Sequence, residues 1–178
     1  MLKRMFGEKS RPFYKSAATM RLEKPPEDES QEFVRSRFAS RSIGIDEAAA
    51  RRIVSETENV PYYLQELSSQ VFDAVVAAGR DWVEDADIDA GIMALMSENT
   101  DYYVEKLSTL SSMQRLLVAA LAEEPVREFT EEYRSRHSLG GSSTVHTALK
   151  AVIERGVVES EPGGYLIGDP FFARYVRT

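Results

Sequence analysis

The sequence predicts a mainly α-helical protein: a four-helix bundle followed by a winged helix-turn-helix domain with a two-stranded wing. Three observations predict it. Apolar residues recur at spacings of three and four through most of residues 27–155. Pro, Gly and Asp interrupt that pattern at intervals suited to short helices. Near the end the chain turns apolar or alternating on either side of Glu161-Pro162-Gly163-Gly164, which reads as a hairpin. At 178 residues the chain fits one domain or two small ones.

Residues 1–24 read as an irregular basic connector, with a short helix at 1–6 and a strand near Thr19-Met20-Arg21-Leu22. Pro25-Pro26 then opens a helix over 27–40. Glu27, Asp28 and Glu29 sit in its first turn, where negative charge meets unpaired amides. Phe33, Val34 and Phe38 supply its buried side. Gly44 breaks the chain, and Asp46 caps a helix over 47–57 that buries Ala49, Ala50, Ile53 and Val54. A third helix starts at Pro61, where a missing amide donor costs nothing. It buries Leu64, Leu67, Val71, Val75 and Ala78 and closes at Gly79. Asp85 or Asp87 caps a fourth helix, which uses Ile88, Ile92 and Leu95. These four helices form a bundle over 25–99.

The boundary is placed at Glu98-Asn99-Thr100, and a winged-helix domain is expected over 100–178. Tyr103, Leu107, Leu110, Met113, Leu117 and Leu121 mark one long helix over 101–122. A second helix is expected near 127–136, and Gly140-Gly141 forms the turn. A third runs over 142–155 with Val145, Leu149, Val152 and Ile153 inward, ended by Gly156. The hairpin follows as the wing.

Composition excludes several classes. Zero cysteines rule out disulfides, a thiol nucleophile and thiolate metal sites. His137 and His146 are too few for an ordinary zinc centre, and no metal site is expected. No apolar run approaches the roughly 18 residues of a membrane span, and Gly7-Glu8-Lys9 stops the signal-like start at once. A cytoplasmic protein with no membrane partner is expected. Charge is uneven within the net -7. Residues 1–26 hold seven Lys/Arg against two acids, and residues 27–100 hold six Arg against sixteen acids. The middle would repel a polyanion, whereas the N-terminal strip would attract one.

The third helix of the C-terminal domain is the candidate recognition helix. Its outward side offers Ser143, Thr144, His146, Thr147 and Lys150: short hydroxyls, a switchable donor and a cation. In a DNA reader such a helix enters the major groove. Arg127, Arg134, Arg136 and His137 would add phosphate contacts, which position rather than discriminate. Glu123-Glu124, Glu154, Glu159 and Glu161 point the other way, towards a protein-docking winged helix or internal packing. Both readings stand on these residues. Asp85, Asp87 and Asp89 lack a calcium-loop glycine and distal glutamate, so capping explains them. Glu128, Glu131 and Glu132 read as a solvated face, and His146 as a surface residue without catalytic partners. Asn59-Val60-Pro61 reads as a turn in which Asn takes the left-handed conformation and Pro starts the helix. There is no G-x-x-x-x-G-K-[ST] and no G-x-G-x-x-G in the chain.

Four stretches, in order, carry a resemblance. They are Met5-Phe6-Gly7-Glu8-Lys9-Ser10-Arg11-Pro12-Phe13-Tyr14, Met20-Arg21-Leu22-Glu23-Lys24-Pro25, Asn59-Val60-Pro61-Tyr62-Tyr63-Leu64-Gln65, and Tyr165-Leu166-Ile167-Gly168-Asp169-Pro170-Phe171-Phe172. The chain resembles the C-terminal part of archaeal-type AAA+ ATPases of the signal-transduction and origin-recognition-like branch. In these a helical lid and a winged helix follow the nucleotide core. The resemblance implies that residues 1–24 are the edge of that core and that 25–99 are the lid. It places Arg11 where a basic residue acts as an arginine finger on a neighbour's nucleotide. It also places Asn59 and Pro61 where the lid approaches a nucleotide. Glu58 and Asn59 stand where the family has glycine in its Gly-x-Pro region. The phosphate loop and Walker B acids have no counterpart here.

The expected function is therefore a non-catalytic C-terminal module of an AAA+ ATPase-like protein, binding duplex DNA or regulating a partner through its winged helix. The alternatives are a protein-interaction adaptor without nucleic-acid binding, or a stable remnant of a truncated ATPase. No cofactor is expected in this chain, with ATP and Mg²⁺ entering only if an upstream ATPase core exists. Self-association through the N-terminal segment is a further expected contact.

Overall fold

The computed structural model describes residues 24–178. Arg11, the strand expected near Met20, the helix expected at 1–6 and the self-association expected of the N-terminal segment all lie outside the described residues. The described chain forms two compact units, one of residues 24–105 and 170–175, the other of 106–169 and 176–178.

The first unit is helical. Helix α1 (Glu27–Ala39) starts with its three acids and buries Ser30, Val34 and Phe38. These lie four residues apart along one row. Phe33 lies off that row and is 45% exposed, contrary to its expected burial. Helix α2 (Glu47–Glu56) is capped as expected, with the Ala49 amide donating to Asp46 at 2.7 Å. It ends in a Schellman motif: the Glu58 amide donates to Ser55 O and the Asn59 amide to Val54 O. Helix α3 (Pro61–Ala77) buries Leu64, Leu67, Val71 and Val75, while Ala78 falls beyond its end and is exposed. Gly79, at φ 65°, closes it in a second Schellman motif.

Helix α4 (Asp85–Glu98) buries Ile88, Ile92 and Leu95 against α3, and Gly91 lets the two backbones approach. Its cap differs from expectation. Glu84 is the N-cap, and Asp87 works from inside the first turn, accepting the Glu84 amide at 2.9 Å. Asp87 is 4% exposed, and Arg80 grips both of its oxygens. That guanidinium is the main reason its carboxyl lies below the usual range; the Glu84 amide adds to this and burial opposes it.

The single helix expected over 101–122 is two helices, α5 (Thr100–Ser108) and α6 (Ser112–Glu123). The break is chemical. Ser111 Oγ accepts the Gln114 amide, and Gln114 Oε1 accepts the Ser111 amide at 3.0 Å. This capping box starts a new helix inside an apolar stripe that otherwise continues. Tyr103, Leu110, Leu117 and Leu121 of the stripe are buried, whereas Leu107 and Met113 are only half-buried.

In the second unit α7 (Glu131–Arg136) is shorter than the expected 127–136. Thr130 caps it, and the segment before it is drawn into the sheet. Val126 and Tyr165 exchange backbone hydrogen bonds at 3.2 and 2.7 Å. Helix α8 (Ser142–Glu154) buries Val145, Ala148, Leu149 and Val152; Ile153 is only half-buried. Gly156, at φ 69°, ends it. Strands β1 (Val158–Glu161) and β2 (Gly164–Ile167) pair antiparallel, with Val158 opposite Ile167 and Glu161 opposite Gly164. Gly164 has φ 132°, and any Cβ there would overlap Val126 O and Arg127 Cα. The core of this unit joins Leu117, Val118 and Leu121 to Tyr133, Val145, Leu149, Val152, Val158 and Ile167. Each fully buried aliphatic side chain there contributes about 1.5–3 kcal/mol.

A last helix, α9 (Pro170–Arg177), was not anticipated from the sequence. Its residues 170–175 group with the helical unit. There the Tyr103 and Phe172 rings lie 5.3 Å apart, and Arg174 pairs with Glu56 at 2.6 Å. The division between the units accordingly falls within α5, after Glu105. Among the described residues no helix is long and apolar enough to cross a membrane.

Candidate functional site

Helix α8 is aimed by its two ends. Gly141 is its N-cap residue, its carbonyl accepting the Thr144 and Val145 amides, and the Gly156 Schellman turn leads directly into β1. With Val145, Ala148, Leu149 and Val152 inward, the opposite face follows from the helical period. Ser143, Thr144, His146, Thr147 and Lys150 are all exposed on it. No acid stands between Ser142 and Ile153. The Thr147 hydroxyl donates to Ser143 O at 2.9 Å, so towards a ligand it presents lone pairs.

Beside this face an open groove of about 390 Å³ runs between the starts of α6 and α8. Ser111, Met113 and Gln114 line one side, and Ser143, Thr144 and Thr147 the other. Ser111 and Gln114 are committed to their own cap. The recognition-helix side therefore supplies the uncommitted polar atoms.

The expected arginines scatter. Arg127 is exposed next to Val126, at the base of the wing. Arg134 is half-buried and its Nε donates to Thr130 O at 3.3 Å. Arg136 is held by Glu124 at 2.7 Å and Glu132 at 3.1 Å. Because α7 starts only at Glu131, Arg136 falls in its last turn, four residues after Glu132 and within reach of the end of α6. His137 turns the same way. Its ring nitrogens lie 3.5 Å from Glu123 and Glu124, its side chain is only 10% exposed, and it packs on Tyr133 at 4.4 Å. Helix α8 thus keeps its five residues together, while Arg136 and His137 serve the α6–α7 junction.

That junction is centred on Tyr133, which the sequence reading did not single out. Its hydroxyl donates to Glu124 O at 2.8 Å. Burial first, then the charges of Glu124 and Glu123, push the phenol up to about 12. Thr130 three residues before Tyr133 was the available cap signal, and the Tyr133 amide does donate to Thr130 Oγ1 at 3.2 Å. On the wing, Glu159 and Glu161 are the charged side chains, and Phe129 stacks on Tyr165 at 5.5 Å.

Asn59 and Pro61 lie together at the start of α3. Asn59 takes φ 56°, as the turn reading requires, directly after Glu58 at φ 49°. It is 6% exposed, and its Nδ2 donates to Pro25 O at 2.6 Å. Its Oδ1 is buried and has no hydrogen-bond partner among the described residues. The Asn59 side-chain donor is thus already used and its remaining polar atom is an acceptor, so the Asn59 side chain itself offers no donor to a phosphate. Among the described residues no group of three or more His, Cys, Asp or Glu could hold a metal ion.

Comparison with known proteins agrees with this architecture. Residues 101–178 match the model of a family described as a probable winged helix domain. No curated protein matches the chain. Among solved structures, the Walker-type ATPase PABY2304 of Pyrococcus abyssi superposes with a TM-score of 0.66 at 15% identity, over 96% of this chain and 47% of that one. The RuvB Holliday junction branch migration motor of Thermotoga maritima aligns with a TM-score of 0.42 at 15% identity, over 82% of this chain and 47% of that one; a score this low adds nothing to the argument. At these identities the likeness concerns the fold. The chain folds as a stretch of a Walker-type ATPase does and spans about half the length of the PABY2304 chain. The fold and the winged-helix match thus accord with the resemblance to the C-terminal region of AAA+ ATPases.

Proposed function

We propose that this chain is a non-catalytic C-terminal module of an AAA+ ATPase-like protein of the cytoplasm, and that it binds duplex DNA through α8. The observation that carries this reading is the outward face of α8. It holds five exposed hydrogen-bonding side chains, Ser143, Thr144, His146, Thr147 and Lys150, with no carboxylate among them. A winged helix with such a face enters the major groove, while Lys150, Arg127 and Arg134 contact phosphates. The wing strands, bearing Glu159 and Glu161, stay off the backbone, so contact is confined to α8 and the two arginines Arg127 and Arg134. The direct test is anisotropy of a labelled duplex of two helical turns with Thr144→Glu and Thr147→Glu, judged folded by circular dichroism. A carboxylate at either place faces the phosphates and lowers affinity about tenfold or more. Unchanged binding by both variants removes α8 from the interface.

One observation favours a second reading, in which the winged helix regulates a protein partner. Arg136 is spent on Glu124 and Glu132, and the wing is acidic, so the unit has fewer phosphate contacts than a dedicated DNA reader. Absence of duplex binding at low salt decides for the partner.

Catalysis is not proposed for this chain. Phosphoryl transfer needs phosphate-cradling amides, a Mg²⁺ site and a positioned nucleophile, together with cations on the transferring group. ATP and Mg²⁺ belong to an upstream core if one exists, and Arg11 would act only in trans on a neighbour's nucleotide. Purified chain incubated with Mg-ATP should release no phosphate above background; turnover that persists through further purification refutes this.

A further inference from the structure

Residues 27–100 hold sixteen acids and six arginines. Four of the six arginines are ion-paired: Arg35 with Glu32, Arg51 with Glu47, Arg52 with Asp85 and Asp89, and Arg80 with Asp87. Arg37 and Arg41 pair with no acid among the described residues, although acids outnumber arginines nearly threefold. Both line the same groove of about 860 Å³ between α1 and α3. Arg37 is also held over the Phe33 ring, 5.8 Å from its centroid, which keeps its guanidinium on the groove side.

The floor between these cations is apolar. Phe38 and Phe72 meet at 6.2 Å, and Phe33 stands 45% exposed above them. Two hydroxyls along the seam have no hydrogen-bond partner among the described residues although their oxygens are buried. Ser68 belongs to the groove lining, and Ser30 to an adjoining pocket of about 280 Å³ that shares Phe33 and Gln65 with it. The lining also holds one carboxylate, Glu66 on α3, which accepts the Tyr62 hydroxyl at 2.6 Å. Exposed apolar rings beside two arginines that no described acid neutralises match a short peptide that has acidic and large apolar side chains.

We propose that the α1–α3 groove is a docking site for an acidic, apolar peptide segment of a partner protein, with Arg37 and Arg41 receiving its carboxylates. A nucleic-acid strand fits worse. It would bring a phosphate at every nucleotide past the sixteen acids of residues 27–100, whereas a short peptide brings one or two charges to two arginines that no described acid neutralises. The site is independent of α8, so its failure and that of the DNA reading are separately observable.

The probe is a fluorescein-labelled peptide alternating aspartate with leucine and phenylalanine, followed by anisotropy on the full chain, with a lysine-for-aspartate counterpart and an oligothymidylate as competitors. The acidic peptide is expected to bind, the lysine peptide not to bind, and the oligothymidylate not to displace. Arg37→Glu with Arg41→Glu should weaken binding about tenfold or more, while Arg35→Glu, on the same helix but already paired, leaves it unchanged. The comparison of the two peptides on the unmodified chain needs no variant to fold. No binding of the acidic peptide, equal binding of the lysine peptide, insensitivity to the Arg37/Arg41 change, or displacement by oligothymidylate each overturns the proposal.

Discussion

If α8 contacts DNA, the salt dependence of binding is set by how many cations reach phosphates. Of the four basic residues assigned to that surface, Arg127, Arg134 and Lys150 make no ion pair with a described residue, whereas Arg136 is held by Glu124 and Glu132. Three phosphate contacts give a slope of log K against log salt of about −2.7, so a rise from about 50 to 200 mM salt weakens binding about 40-fold. Lys150→Ala removes one contact; the slope falls to about −1.8 and the same salt step costs only about 12-fold. Arg136→Ala should leave the slope where it is, because that guanidinium is already neutralised. The assay is anisotropy of a labelled duplex at several salt concentrations, with circular dichroism confirming that each variant is folded. A salt-independent affinity, or an Arg136→Ala slope change equal to that of Lys150→Ala, refutes the assignment of cations to the interface.

Three further outcomes are expected of stability. At Gly91 a Cβ would sit 3.2 Å from Leu67 Cδ1 and Val71 Cγ2. Gly91→Ala therefore sets a propensity gain of about 1 kcal/mol against mild crowding and stays within about 1 kcal/mol of the parent. Gly91→Val drives two more methyls into α3 and costs about 2–3 kcal/mol in urea denaturation; equal stability of the two variants would deny the close approach of α3 and α4. Ser138 closes α7 in a Schellman motif at φ 53°, a conformation that costs a side chain about 1 kcal/mol, so Ser138→Gly gains about 0.5 kcal/mol after the entropy of glycine is subtracted. A thermal midpoint that falls instead would show that Ser138 has another role. The Asp87 carboxyl is depressed in the fold by Arg80, so its stabilisation is complete above the unfolded carboxyl value of about 3.9 and is lost as pH falls through the lower folded value. Asp87→Asn should destabilise by about 1.5–3 kcal/mol at neutral pH. Its deficit against the parent should shrink below about pH 4; a deficit constant down to pH 2 would contradict the ion pair.

Local chemistry made much of the fold legible. Asp46 at its cap, Pro61 at its helix start, Asn59 in its left-handed turn, and Gly79 and Gly156 at their helix ends each act on backbone groups a few residues away, so their neighbours in sequence are their neighbours in space. The same logic was available and unread at Ser111-Ser112-Met113-Gln114, where an unbroken apolar stripe hid the cap, and at Asp169-Pro170, which opens α9. Other features had no local signal. The shortening of α7 depends on Val126 meeting Tyr165, and the burial of Asp87 depends on Arg80 reaching it across the turn between α3 and α4.

By itself the sequence determined the four helices of the first bundle, the wing and the candidate face of α8, because a period of three and four fixes which side chains share a surface. Only the tertiary structure decided which charges remain for a partner. Arg136 and His137 are turned onto Glu123, Glu124 and Glu132, while Arg37 and Arg41 pair with no acid among the described residues of a unit crowded with acids. An ion pair forms between side chains a few ångströms apart, and no spacing along the chain reveals which distant carboxylate packing will bring within reach.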